Sequence, residues 1–167
     1  DISDIYNYDG KQYGIPKDID SIALWYNKTM FDEAGVAYPD DTWDWDDLKD
    51  AASKLTKDDG SQYGFVVKGS ENQGGFYHLI YQNDGYVIND EKTEGGWTDP
   101  KTIEAMEYYA SFVEEGLSPD SVTTAENDIY VLLEAGTAAM GFQGSWMMGE
   151  LGNNDYIVEN FDCAVMP

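Results

Sequence analysis

The sequence is short of the residues from which many catalytic and metal centres are built, with one cysteine and one histidine among 167 residues. The single Cys163 excludes an internal disulfide and a cysteine-based metal site. A Ser-His-Asp triad, a Cys-His nucleophile or a multi-histidine zinc site would each rest on His78. We expect His78 to be a surface or satisfied core histidine, and Cys163 to be an inert core thiol inside an apolar strand.

Basic residues are also scarce, because 9 Lys and Arg stand against 33 Asp and Glu and give a net charge of −24. Phosphate contacts need clustered Lys and Arg, so nucleic-acid binding is excluded as the main function. Docking on anionic lipid through a basic patch is disfavoured for the same reason. No apolar run has the length of a membrane span. The opening residues form no signal peptide, and we expect the chain to be a processed or excised segment.

Turn and capping signals alternate with apolar runs along the chain. Strands are predicted at 21–26, 63–67, 137–142 and 162–166, after a hairpin that turns at Asp9-Gly10. Helices are predicted after the caps Asn27, Asp44 and Asp99, over 76–83 and 125–134, and from 144 onward. The helix after Asp99 is expected to bury one stripe, made of Ile103, Met106, Tyr109, Ala110, Val113 and Leu117. This alternation predicts an α/β domain in which a layered sheet carries flanking helices.

Acidic residues are too numerous to indicate a specific catalytic pair, since 33 carboxylates make some pair unavoidable. The acidic turns at 57–60 and 89–92 lack the spacing of a calcium loop. Gly74-Gly75 lacks the Lys and Ser or Thr of a phosphate-binding loop. No metal or cofactor site is therefore predicted.

Aromatic residues are abundant, and their share of 14% argues against disorder. Five Trp and 13 Tyr exceed the needs of a small core, because buried Trp N–H and Tyr O–H groups require partners. Sugars present C–H faces that lie on aromatic rings, and hydroxyls that donate to carboxylates. The composition therefore suits a neutral carbohydrate ligand, with packing roles assigned to Trp25, Trp43, Trp45 and Trp97.

Several short motifs occur in an order and spacing that resemble one family. They are Tyr-Gly-Ile-Pro at 13–16, Ile-Ala-Leu-Trp-Tyr-Asn-Lys at 22–28, Phe-Asp-Glu-Ala-Gly at 31–35, Thr-Trp-Asp-Trp-Asp-Asp-Leu at 42–48, Glu-Ala-Gly-Thr-Ala-Ala-Met at 134–140 and Gly-Ser-Trp-Met at 144–147. Together they resemble the extracellular solute-binding proteins of sugar ABC importers, in the maltose-binding-protein-like branch. The resemblance covers essentially the whole chain, which would be well under half of a full-length member.

The resemblance implies a type II periplasmic-binding-protein fold, in which two α/β lobes are joined by hinge strands around a ligand cleft. Residues 1–167 would form a single lobe, the second one, which is inserted between segments of a missing first lobe. The segments near the hinge would be 13–17 and 164–167.

The same resemblance implies a set of ligand-binding residues. Trp146 matches the stacking tryptophan of the family, Asp20 an acidic sugar contact six residues before Tyr26, and Asp18 is a neighbour able to share that role. The remaining candidates are Gly144, Gln143, and the loop 71–75 with Tyr77, from which Asn72 and Gln73 are selected. Gly74-Gly75 stand near the place of an expected aromatic residue, which disfavours a long glucan ligand.

The resulting hypothesis is a non-catalytic carbohydrate receptor that delivers solute to an ABC permease in the membrane. The resemblance implies an extracytoplasmic, lipid-anchored protein, and a monomer is expected. The alternative is a secreted glycosidase fragment or a carbohydrate-binding module. A third possibility is an acidic, calcium-dependent surface domain.

Overall fold

The computed structural model describes residues 2–165 and shows the expected mixture of strands and helices. The strands are β1 (Asn7–Tyr8), β2 (Lys11–Gln12), β3 (Ile22–Asn27), β4 (Met140–Gly144) and β5 (Phe161–Ala164). The α-helices are α1 (Lys28–Ala34), α2 (Trp45–Leu55), α3 (Tyr77–Gln82), α4 (Pro100–Glu114), α5 (Ser121–Glu126), α6 (Ile129–Glu134), α7 (Met148–Leu151) and α8 (Asp155–Asn160). Residues 166 and 167, which belong to the predicted last strand and hinge segment, lie outside the described residues.

The main sheet is antiparallel and has the order β4-β3-β5. Leu24 at its centre pairs with Phe142 on one side and Ala164 on the other. The predicted strand at 63–67 is wrong as a full strand, because the sheet gains only isolated parallel bridges there, at Tyr63 and Val66. The intervening N–H group of Phe65 donates instead to the Leu117 carbonyl, so no continuous ladder forms.

Helices pack against both faces of this sheet. Successive residues of a strand point to opposite faces, and Phe142 lies in the larger core cluster with Leu48, Phe65 and Phe112. The backbone of its neighbour Gly141 instead approaches Ile129 of α6, in the second cluster. The predicted layered arrangement is confirmed by this placement.

Capping side chains start the helices where the sequence predicts. Asn27 accepts from the N–H of Met30 at 3.1 Å, and α1 is followed by Gly35 in the left-handed region. Asp44 caps α2 in a reciprocal capping box, and Asp99 caps α4 with Pro100 in the first turn. These polar caps satisfy N–H groups that have no partner inside the helix.

Two helix predictions need correction. The predicted helix over 125–134 is two helices, because Asn127 adopts an extended conformation between α5 and α6. The buried face of α4 also differs from the predicted stripe, since Ile103 and Ala110 are exposed. The residues buried on α4 are Thr102, Ala105, Tyr109 and Phe112.

Cys163 is exposed, so its prediction as a core thiol is wrong. It lies on β5, an edge strand whose burial pattern leaves the middle residues open to solvent. Trp97 is also half exposed, at 51%, and is not a core residue. Between residues 2 and 165, no helix is both long and apolar enough to cross a membrane.

Candidate functional site

The candidate site is centred on Trp146, whose side chain is 46% exposed. β4 ends at Gly144, and a short 3-10 helix, Ser145–Met147, turns the chain so that the indole folds back over Gly144. A Cβ atom at position 144 would overlap the six-membered ring of the indole. The six-membered ring of the indole therefore covers Gly144, and Trp146 keeps nearly half of its surface exposed to solvent.

A second glycine supports the same ring from the loop before α3. Residues Asn72–Phe76 form one π-helical turn, closed by the N–H of Tyr77 donating to the carbonyl of Asn72. Such turns are rare and often occur at functional sites. A Cβ at Gly74 would stand 3.6 Å from Cζ2 of Trp146 and 3.3 Å from Oε2 of Glu71. The Glu71 carboxylate and the indole edge thus both lie close to Gly74.

Asp20 reaches the site from the segment before β3. Its Oδ1 atom accepts a hydrogen bond of 2.8 Å from Oγ of Ser145, the residue that precedes Trp146. The carboxylate is exposed to solvent. The structure therefore brings Asp20 and Trp146 to one place, although they lie far apart in sequence.

The π-helical turn, whose Gly74 lies close to the indole, is accompanied by an amide and a phenol group. Nδ2 of Asn72 donates to the Tyr77 hydroxyl at 3.4 Å, and Oδ1 of Asn72 accepts from the backbone N–H of Gln73 at 2.7 Å. Asn72 and Gln73 are exposed, and Tyr77 is half buried with its ring edge-on to Phe76. These side chains can offer hydrogen bonds to a polar ligand.

Two predicted site residues lie apart from this arrangement. Asp18 is exposed and forms an ion pair with Lys17, its neighbour in sequence. Gln143 is only 7% exposed. Because strand residues alternate, Gln143 shares the α6-facing side of β4 with Gly141, while the indole lies over the other side, at Gly144.

Glu71 and Ser145 belong to the site but were not selected from the sequence. Glu71 begins the loop that carries Asn72 and Gln73, and Ser145 separates Gly144 from Trp146. The resemblance therefore pointed to segments that the structure brings together. Which side chains of these segments meet was decided by the folding of the loop and of the turn after β4.

His78 lies one residue beyond Tyr77, with its ring edge-on to Phe142 at 4.5 Å. Both ring nitrogens are buried, and neither has a hydrogen-bond partner among the described residues, so the expectation of a satisfied or surface histidine is wrong. Burial lowers the pKa of His78 to about 4, and the nearby backbone of Gln73 raises this pKa by a smaller amount. The imidazole is therefore neutral at physiological pH.

The arrangement offers a partly exposed aromatic plate with carboxylates, an amide and a phenol around it. Over residues 2–165, no three His, Cys, Asp or Glu side chains are grouped so that they could hold a metal ion. The groups present suit a neutral ligand that has both an apolar face and several hydroxyls.

Comparisons with known proteins give a consistent result. The family model described as bacterial extracellular solute-binding protein matches residues 2–162. A binding protein of Brucella abortus is 31% identical over 146 residues, which cover 86% of this chain and 35% of that protein.

Two solved structures share the fold. An ABC substrate-binding protein from Listeria monocytogenes, in complex with cycloalternan, has 30% identity and a TM-score of 0.83, over 96% of this chain and 40% of that one. An ABC transporter solute-binding protein from Thermotoga lettingae, bound with α-D-tagatose, has 28% identity and a TM-score of 0.82. The match covers 99% of this chain and 44% of that one. The predicted type II α/β fold class is confirmed, and the chain spans less than half the length of each relative.

Proposed function

The chain belongs to the bacterial extracellular solute-binding proteins, and from that membership we propose that it is one lobe of a carbohydrate receptor serving an ABC importer. The observation that carries the proposal is the Trp146 indole, which lies on Gly144, is 46% exposed, and has the carboxylates of Asp20 and Glu71 nearby. A pyranose ring fits such a plate through its C–H face. Its hydroxyls can donate to the carboxylates in charge-assisted hydrogen bonds.

The proposed mechanism is binding without chemical conversion of the ligand. The sugar bridges this lobe and the first lobe, and the hinge closes because the ligand gains the contacts of both lobes only in the closed state. The closed receptor then delivers its sugar to the membrane permease, outside the cytoplasm.

Exposed apolar side chains near the proposed hinge support a first lobe that covers this part of the chain. Tyr13, Ile15 and Ile19 lie in the segment that leads to β3, and all three are exposed, Ile15 by 88%. Together with the share of each relative that the chain spans, this supports 13–17 as a crossing between lobes, with 164–167 as the return.

Within the site, we propose direct sugar contacts for Trp146, Asp20, Glu71, Asn72 and Tyr77. Gly144 supports the indole, which covers its buried backbone, so we propose that this glycine acts through the ring and not by direct contact with the sugar. Gln73 is exposed next to Asn72 and is proposed as a contact at the border of the site, whereas Asp18, which lies apart and pairs with Lys17, is proposed only as a weak contributor. Gln143 is only 7% exposed, so we propose that it contributes least to the binding free energy.

Calorimetry on the two-lobed protein that contains these residues tests the proposal, with cycloalternan, D-tagatose and maltotriose as ligands. W146A is expected to weaken the binding of a sugar that binds wild type by about 30-fold, as for the loss of a central aromatic contact. The matched control is W97A, which removes a tryptophan of similar exposure that is not a proposed sugar contact and whose ring packs edge-on to Phe76. Equal affinities of W146A and W97A would contradict the assignment.

The isolated chain provides a second arm of the same test. Because half of the contacts and the enclosed cleft are missing, it is expected to bind these sugars at about millimolar affinity or more weakly. Micromolar binding by the isolated chain would contradict the two-lobe mechanism.

The non-catalytic assignment is tested with chromogenic glycosides. No release of the chromophore above the uncatalysed rate is expected. Turnover that disappears on replacing one specific carboxylate would favour the glycosidase alternative.

A further inference from the structure

We propose that Ser145 is a positioning residue, which holds the Asp20 carboxylate at a fixed place relative to the Trp146 indole. This inference rests on the proposed function, because it concerns how the two sides of the sugar site are aligned. Ser145 itself is not required to touch the ligand.

Three hydrogen bonds join Ser145 to the segment before β3. Its hydroxyl donates to Oδ1 of Asp20 at 2.8 Å and accepts from the N–H of Ser21 at 3.2 Å. Its own N–H donates to the carbonyl of Ser21 at 2.9 Å. These bonds continue the pairing of β3 with β4 one step beyond the Ile22–Gly144 pair.

This geometry fixes the direction of the serine hydroxyl. A hydroxyl has one hydrogen, and the oxygen already accepts from Ser21, so the hydrogen is directed to Asp20. Oδ1 of Asp20 is thereby occupied. Over residues 2–165, no group donates a hydrogen bond to Oδ2, which leaves this oxygen available for a ligand hydroxyl.

The connection matters because Asp20 is exposed to solvent. A free carboxylate would sample several rotamers, and binding would have to restrict them at a cost in affinity. The bond to Ser145 selects one orientation before the sugar arrives. Trp146 follows directly after Ser145 in the chain. The turn after β4 therefore fixes the positions of both the indole and the Asp20 carboxylate.

The hydroxyl can be removed without removing the turn, since the backbone bond between Ser145 and Ser21 stays in place. S145A should therefore fold as the wild type does and lose only the restraint on Asp20. S145T retains a hydroxyl and should rescue binding. S53A is the matched control, because Ser53 is exposed on α2 and outside the site.

The experiment measures the affinities of the two-lobed protein for cycloalternan, D-tagatose and maltotriose. S145A is expected to weaken binding about tenfold, while S145T and S53A stay within about threefold of wild type. In a D20A background, adding S145A should change affinity by less than about twofold, because Ser145 acts through Asp20. Additive losses, or failure of S145T to rescue, would overturn the inference.

Crystal structures of wild type and S145A supply a readout that does not require a ligand. The Asp20 carboxylate should occupy one orientation in wild type and several in S145A. An unchanged single orientation in S145A would overturn the positioning role. Absence of sugar binding by wild type would instead count against the proposed function, and the structures would still decide the role of Ser145.

Discussion

At the scale of single residues, the shape of the site depends on two glycines that differ in how closely they meet the tryptophan. Gly144 has an ordinary β-region conformation, with φ −83° and ψ 157°. Glycine is required at position 144 because the indole leaves no space for a Cβ atom, and not because of the backbone dihedrals. Gly74 leaves more room, since a Cβ there would be 3.6 Å from the same ring. Placement of the indole is therefore more sensitive to a methyl group at 144 than at 74.

Under the proposed function, G144A should displace the indole and weaken sugar binding by the two-lobed protein about tenfold, as expected for forced overpacking. G74A should change affinity by less than about threefold, because the nearer atom, Oε2 of Glu71, ends a flexible side chain. Calorimetry on both variants makes the comparison. Equal effects would show that the indole does not depend on Gly144.

His78 provides a residue-scale prediction about pH. Its pKa is about 4 in the folded chain because of burial, against about 6.5 in an unfolded chain. Between these values the unfolded chain binds a proton that the folded chain excludes, so stability falls as the pH falls from about 6.5 to about 4. Above about 6.5 both states are neutral, and the contribution vanishes.

H78L should remove this part of the pH dependence. The unfolding free energy of H78L relative to wild type is expected to rise by about 3 kcal/mol between pH 7 and pH 4. Urea titrations at several pH values measure the difference, in which the acidic residues common to both proteins cancel. Parallel pH curves for the two proteins would contradict a buried, neutral imidazole.

At the scale of elements, side-chain caps determine where helices begin. Asp44 accepts from the N–H groups of Asp46 at 2.9 Å and Asp47 at 3.1 Å, and Asp47 in turn accepts from the Asp44 N–H at 3.0 Å. This box fixes the first turn of α2, whose Leu48 and Leu55 are fully or almost fully buried. By fixing the start of α2, the cap therefore also helps to hold Leu48 and Leu55 in the main core.

D44A should lower the unfolding free energy by about 1 kcal/mol, the usual cost of a lost N-cap. D41A is the control, since Asp41 is exposed and lies just before the helix, and its effect should stay within about 0.5 kcal/mol. Urea denaturation monitored by circular dichroism compares the two. A D41A effect as large as that of D44A would assign the loss to charge and not to capping.

At the scale of the whole molecule, the dominant property is a net charge of −24. Most carboxylates repel one another across a surface that contains few cations, and this repulsion opposes the compact state. Dissolved salt screens exposed charges over distances of about 10 Å at 0.1 M. The stability of the chain should therefore depend strongly on ionic strength.

Raising NaCl from about 0.01 M to about 0.5 M at pH 7 should increase Tm by about 3 °C or more. Scanning calorimetry measures the shift. The control is the same pair of salt concentrations at pH 4, where partial protonation of carboxylates should reduce the effect. A Tm that falls with salt at pH 7 would mean that attractive ion pairs outweigh repulsion.

The local signals of the sequence determined much of the fold. Asn27, Asp44 and Asp99 begin helices as predicted, because a cap is satisfied within one turn of chain and needs no distant partner. The hairpin turn is predictable for the same reason, since Asp9 and Gly10 both take the positive φ that it requires. One family motif contains Trp146, and two others lie on either side of Asp20 in the sequence.

Only the tertiary structure decided which side chains of those segments meet and which strands form. Residues 63–67 have the pattern of a strand, yet Phe65 gives its N–H to Leu117, a choice made by packing and not by propensity. The exposure of Cys163 follows from its place on an edge strand. The contact of Ser145 with Asp20 spans two strand ends, and strand register is a property of the folded sheet rather than of either segment.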